Sequence, residues 1–102
     1  MNYKSHRWET LRKSILRRDS YMCQECKRFG KMKEGSHVHH IFPAEDYEEL
    51  RFVPGNLITL CQACHNKMHD RDTHKLSKAG EELLERTRRK LQQGNANKSG
   101  MV

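Results

Sequence analysis

Apolar residues open the chain at helical intervals: Trp8, Leu11, Ile15 and Leu16 fall at i, i+3, i+7 and i+8. That spacing collects them on one face and predicts an amphipathic helix over about residues 6–18, its other face carrying the arginines. Trp8 could stack on a base, but at this spacing it belongs to the core. The period then changes. His37 to Ile41 and Leu57 to Leu60 are short runs rich in β-formers, and they predict two antiparallel strands joined by a long loop from Phe42 to Asn56. Pro43, Pro54 and Gly55 punctuate that loop, and a connection of this length in a small domain is more often functional than idle. Beyond Cys64 a helix is predicted to hold His65 and His69, four apart and hence on one face. From Ser77, its N-cap, a last amphipathic helix runs through Leu83, Leu84 and Leu91, weakened at Gly80 and supported by Glu82 with Arg86 and Glu85 with Arg89. The segment from Gly94 has almost nothing apolar to bury and predicts a disordered tail over 94–102, leaving one domain over 1–93.

A chain of 102 residues that is 34% hydrophobic buries only a modest core and needs a staple. Four cysteines in two CxxC steps, Cys23-Gln24-Glu25-Cys26 and Cys61-Gln62-Ala63-Cys64, supply one: four thiolates satisfy a tetrahedral structural Zn2+ with no position left for water. The long interval between the steps means that the ion would tie distant segments together instead of closing a compact finger. Two disulfides are the alternative, and they require an oxidising compartment. Met1 to Glu9 is polar and basic, unlike a secretory leader, and no run approaches the about 20 apolar residues of a membrane span, so the chain is expected to be soluble and intracellular.

Twenty Lys and Arg against thirteen Asp and Glu give a net charge of +7. The charge is unevenly placed. Basic residues, Arg12, Arg17 and Arg18 among them, crowd the first eighteen positions, whereas Glu45, Asp46, Glu48 and Glu49 form an acidic cluster. Separation of signs fits a polyanionic partner, and a nucleic acid above others, with these three arginines as candidate contacts.

Histidines supply the candidate chemistry. His65 and His69 can chelate one ion, and His39 from a neighbouring strand would complete a three-imidazole site with positions left open for water and phosphate. His40 would face the other way, since successive strand residues alternate, and it is then available as a base. An HxxxH pair alone is a weak motif. The Glu of a peptidase HExxH is replaced by Asn66, which disfavours peptidase chemistry. His6, His37 and His74 have no comparable context, although His37 lies close to His39.

With His39-His40, Asn56, His65 and His69 in order inside two CxxC pairs, the chain resembles the HNH endonuclease family in its four-cysteine zinc form, over about residues 5–72. The opening Arg7-Trp8, Leu11-Arg12, Ile15-Leu16, Arg18-Asp19 and Cys23-Gln24 is similar to the small stand-alone members found in phages and prophages. The resemblance implies a small α+β, zinc-stapled domain with a ββα-metal core and flanking amphipathic helices, located in the cytoplasm of a bacterium or phage-infected host. It implies a metal-dependent endonuclease hydrolysing DNA phosphodiesters, with His40 as general base and Asn56 pinning the loop that orients it. His39, His65 and His69 match the ligands of the catalytic ion. Imidazole donors suit Mn2+, Ni2+, Co2+ or Zn2+ better than Mg2+, which the resemblance keeps in play. Two other functions remain open at this point: a zinc-dependent nucleic-acid-binding module without catalysis, and an accessory subunit of a phage DNA-packaging assembly.

Overall fold

The first helix, α1, spans His6–Arg18 and starts where Ser5 can cap it, its Oγ accepting the Trp8 N–H at 3.1 Å. The computed structural model describes residues 3–101, and side chains as far as Gln92. Trp8 and Ile15 on the apolar stripe of α1 meet Leu57 in the core, and Leu11, Val38 and Phe52 pack against them. Trp8 is thus a core residue, as its helical spacing predicts.

At the end of α1 the chain reverses through Ser20 and Tyr21, both at positive φ (55° and 57°), and enters the short helix α2, Gln24–Arg28. Gly30, at φ 79°, permits the turn that leaves it. Strands β1, His37–His40, and β2, Leu57–Leu60, then pair antiparallel, with His37 opposite Leu60, Val38 opposite Thr59, His39 opposite Ile58 and His40 opposite Leu57. The loop between them is not idle coil: it contains 3-10 turns at Glu48–Leu50 and Pro54–Asn56. Helix α3, Gln62–Lys67, follows β2 directly.

The chain divides into two compact units, residues 1–67 and 68–102. In the second unit His69 bridges Leu76, and Ser77 donates its N–H to the Met68 carbonyl at 2.9 Å. Helix α3 therefore stops before His69 and does not carry both histidines. Asp70 accounts for the stop, because its Oδ1 accepts the N–H groups of Asp72 and Thr73 at 2.9 and 3.0 Å and so competes with helix propagation.

Helix α4 spans Lys78–Met101, with Ser77 as its cap, the Oγ accepting the Gly80 N–H at 3.2 Å. Gly80 has a packing reason: a Cβ there would run into the Met68 carbonyl. Glu85 pairs with Arg88 at 3.4 Å, one residue nearer than the expected Arg89. The helix bounds include residues 94–101. Val102 lies outside the described residues, among which no helix is long and apolar enough to cross a membrane.

Candidate active site

The two CxxC steps come together although 34 residues separate them in sequence (27–60). Cys23 caps α2 and its Sγ accepts the Cys26 N–H at 3.4 Å; Cys61, just before α3, accepts the Cys64 N–H at 3.5 Å. Cys26 Sγ lies 3.9 Å from Cys61 Sγ and 3.7 Å from Cys64 Sγ, and all four sulfurs fall within 4.8 Å of one another. A tetrahedron with metal–sulfur bonds of about 2.3 Å has edges of about 3.8 Å, so the cluster has the size of a closed S4 zinc site. All four cysteines are free thiols, with no disulfide among them.

Hydrogen bonding to Cys23 and burial hold the Cys26 thiol up, and burial together with the other three sulfurs pushes Cys64 further up. Cys61 is buried as well, yet the Cys64 N–H and the neighbouring thiols draw it down to about 6. A divalent cation held by these four residues would stabilise all four thiolates together.

The hairpin separates the two adjacent histidines by face. His40 stacks on Trp8 of α1, ring centroids 5.1 Å apart and planes 16° apart, on the same side as Val38. His39 turns to α3, its ring 5.4 Å from that of His65, and their candidate ligand nitrogens lie within 4.8 Å of each other. His37, two residues earlier and on the same strand face, stacks on His65 at 5.2 Å. His39 and His40 are 2% and 8% exposed, a burial that two exposed-helix histidines would not show. His69 belongs to the second unit, beyond the end of α3.

His40 Nε2 lies 3.0 Å from the Arg51 carbonyl oxygen. A carbonyl only accepts, so Nε2 must carry the hydrogen and Nδ1 keeps its lone pair. Burial lowers the His40 pKa below its ordinary 6.5, and the Arg51 carbonyl opposes that only in part. The imidazole is therefore neutral at neutral pH.

Asn56 is buried, and its amide is spent on the loop. Its Oδ1 accepts the Phe42 N–H at 2.6 Å, and its Nδ2 donates to the carbonyls of Phe42 and Leu50 at 3.0 and 3.1 Å. The two ends of the 41–56 loop are thus tied to each other and to Leu50, the residue before Arg51.

The three candidate arginines separate. Arg17 is exposed and lines a groove of about 580 Å³ along α1 together with His6, Arg7, Thr10, Leu11, Ser14 and Phe52. Arg12 turns away from that groove and donates to the Ser36 carbonyl at 3.1 Å. Arg18 is exposed like Arg17 but lies along the surface, bonded to the Asp19 carboxylate and to the carbonyls of Pro54 and Leu57. Arg7, part of the same basic cluster but not one of the three candidate contacts, sits with its guanidinium carbon 3.9 Å over the Phe52 ring. Arg51 was invisible in sequence, since it meets His40 through a backbone carbonyl that every residue possesses.

The model of the HNH endonuclease family matches residues 23–71, which include both CxxC pairs, His39, His40, Asn56, His65 and His69. The chain is similar to the probable HNH endonuclease of Lactococcus phage SK1, 33% identical over 67 residues that span 64% of this chain and 71% of that one. It is also similar to a solved structure, the HNH endonuclease of the deep-sea thermophilic bacteriophage GVE2 with a manganese ion: 41% identity, a TM-score of 0.62, and coverage of 63% of this chain and 70% of that one. Such identity, sustained over most of a relative and accompanied by the same fold, makes this chain a member of the HNH endonuclease family. It is accordingly a metal-dependent hydrolase that cuts DNA, built on a small α+β domain.

Proposed function

We propose that this nuclease hydrolyses DNA phosphodiesters with His40 as general base and Asn56 as a positioning residue. His39, His65 and His69 hold one catalytic divalent ion, and Cys23, Cys26, Cys61 and Cys64 hold a structural zinc. The observation that carries the reading is the His40–Arg51 hydrogen bond of 3.0 Å, which leaves a neutral imidazole with Nδ1 as its proton acceptor. Stacking on Trp8 restricts the ring to that orientation. His40 takes the proton of the attacking water, and the Asn56-tied loop keeps the Arg51 carbonyl where His40 needs it. When bound, the ion acts as a Lewis acid toward the phosphate and neutralises charge on the departing oxygen. Neutral imidazole ligands leave it its full charge, and the manganese in the phage GVE2 relative supports a divalent ion here. Mn2+, Ni2+, Co2+, Zn2+ and Mg2+ are the candidates to compare, in a cleavage assay on supercoiled plasmid.

The ligand set is tested by binding, independently of cleavage. His65→Ala should weaken Mn2+ affinity at least about tenfold, since removing even a group that only supports a ligand costs that much. Calorimetric titration of protein that retains its zinc measures it. His69→Ala should behave alike; normal Mn2+ affinity in that variant would reduce the set to His39 and His65.

DNA docks, in this reading, along the groove of α1. Its lining is basic and free of carboxylates, and it adjoins the base on both sides: Arg7 precedes Trp8, which stacks on His40, and Phe52 follows Arg51, whose carbonyl His40 reaches. Replacing Arg7 and Arg17 together by alanine should reduce the slope of log affinity against log salt by about 1.8, or about 0.9 for each phosphate that is no longer neutralised. An unchanged slope would move the DNA path elsewhere.

A further inference from the structure

Arg18 was expected at the DNA, but its guanidinium, although exposed, is engaged by the protein's own groups. Nε and Nη2 fork onto the two carboxylate oxygens of Asp19, each at 2.9 Å. Nη1 donates to the Pro54 carbonyl at 2.9 Å and Nη2 to the Leu57 carbonyl at 2.7 Å. Four of the five guanidinium hydrogens are therefore committed, which leaves little to offer a phosphate. Asp19 in turn accepts the Thr59 N–H of β2 at 3.0 Å. Pro54 and Leu57 bracket Asn56, and Asn56 reaches Leu50, next to the residue whose carbonyl holds His40.

We propose that Arg18 and Asp19 are a positioning pair, clamping the 54–59 segment so that Asn56, and through it the Arg51 carbonyl, present His40 in its cutting geometry. The inference rests on the reading of His40 as base. The clamp follows from chain order as well as contacts. Asp19 is the C-cap of α1, so the reversal at Ser20 and Tyr21 leaves both side chains of the pair pointing back at β2. Two consecutive non-glycine residues in the left-handed region are costly, and such backbone persists where its surroundings hold it. Rates are sensitive to this kind of support, since misplacement by about 1 Å can cost 10²-fold.

The test uses full-length, zinc-loaded R18M, R18K and D19N proteins. Single-turnover cleavage at saturating DNA and Mn2+ is read beside DNA affinity, its salt dependence and melting temperature. R18M and R18K should both cut about tenfold or more slowly with wild-type salt slope, because the single nitrogen of lysine cannot fill a fork and reach two carbonyls. D19N, which keeps an acceptor for Thr59 but loses the carboxylate fork, should be slowed as well. A wild-type rate in R18K would overturn the proposal, since charge alone would then suffice. So would lowered affinity and slope with a wild-type saturated rate, which is the behaviour of a phosphate contact. Lowered melting with an unaltered rate per zinc-loaded molecule, or loss of the fold in all three variants, would make the pair structural only. The base reading fails separately, if His40→Ala cuts like the wild type whatever the Arg18 variants do.

Discussion

His40→Ala is expected to bind DNA and Mn2+ as the wild type does and to retain its zinc, yet to cut at least about 10²-fold more slowly per folded molecule, the lower range for a positioned general base. Removing a buried ring stacked on Trp8 leaves a cavity and should cost about 2 kcal/mol or more, so the rate must be read below the lowered melting temperature. His40→Gln fills more of the space and should be similarly slow. The pH profile separates base from bystander. Burial depresses the His40 pKa, so the wild-type rate should rise with pH on a limb below the ordinary 6.5 and be level across neutrality. Both variants should lack that limb when binding is saturated throughout. The same shift has a consequence for stability: the unfolded chain takes up the proton more readily, so this contribution is present above pH 6.5 and is lost as pH falls through the lowered value. Single-turnover rates between acidic and neutral pH measure the limb, and a His40→Ala protein at the wild-type rate would sink the assignment.

Cys23→Ser or Cys61→Ser should lose the fold and not only the activity. Structural zinc contributes an apparent about 10–16 kcal/mol in small zinc domains, as much as the whole stability of an ordinary domain at about 5–15 kcal/mol. Here the four sulfurs join α2 and the segment between β2 and α3, so their loss releases both the opening of the chain and the end of the hairpin. Circular dichroism with elemental analysis should show zinc and structure lost together, and a strong chelator should reproduce this in the wild type. A Cys23→Ser protein that stays folded, zinc-loaded and thermally unchanged would refute the four-sulfur staple.

Much of the fold and of the candidate site was legible in sequence because it depends on local period and on scarce residue types. Helix α1 and strand β2 lie where the apolar spacing of Trp8, Leu11 and Ile15 and the Leu57 to Leu60 run put them, and β1 ends one residue before the predicted Ile41. The opposite facing of His39 and His40 follows from the two-residue period of any strand. Local competition explains where this failed. Asp70 offers its side chain to the backbone just beyond the helix that was expected to carry His69.

Charge counting was the least informative signal, since a guanidinium looks the same in sequence whether it meets a phosphate or a carbonyl. Arg12, Arg17 and Arg18 are equivalent in the chain, and only their surroundings distinguish an exposed groove residue from one bonded to Ser36 and one clamped onto Asp19. What sequence alone determined is the chemistry: four thiols in two steps, five ordered histidine and asparagine positions, and a basic helix to precede them. What only tertiary structure decided is the selection among like groups: which carbonyl His40 meets, which loop Asn56 ties and which arginine is bonded to the protein's own carboxylate and carbonyls. Backbone carbonyls carry no sequence signature, and side-chain partners 36 or 39 residues away are fixed by how the chain packs.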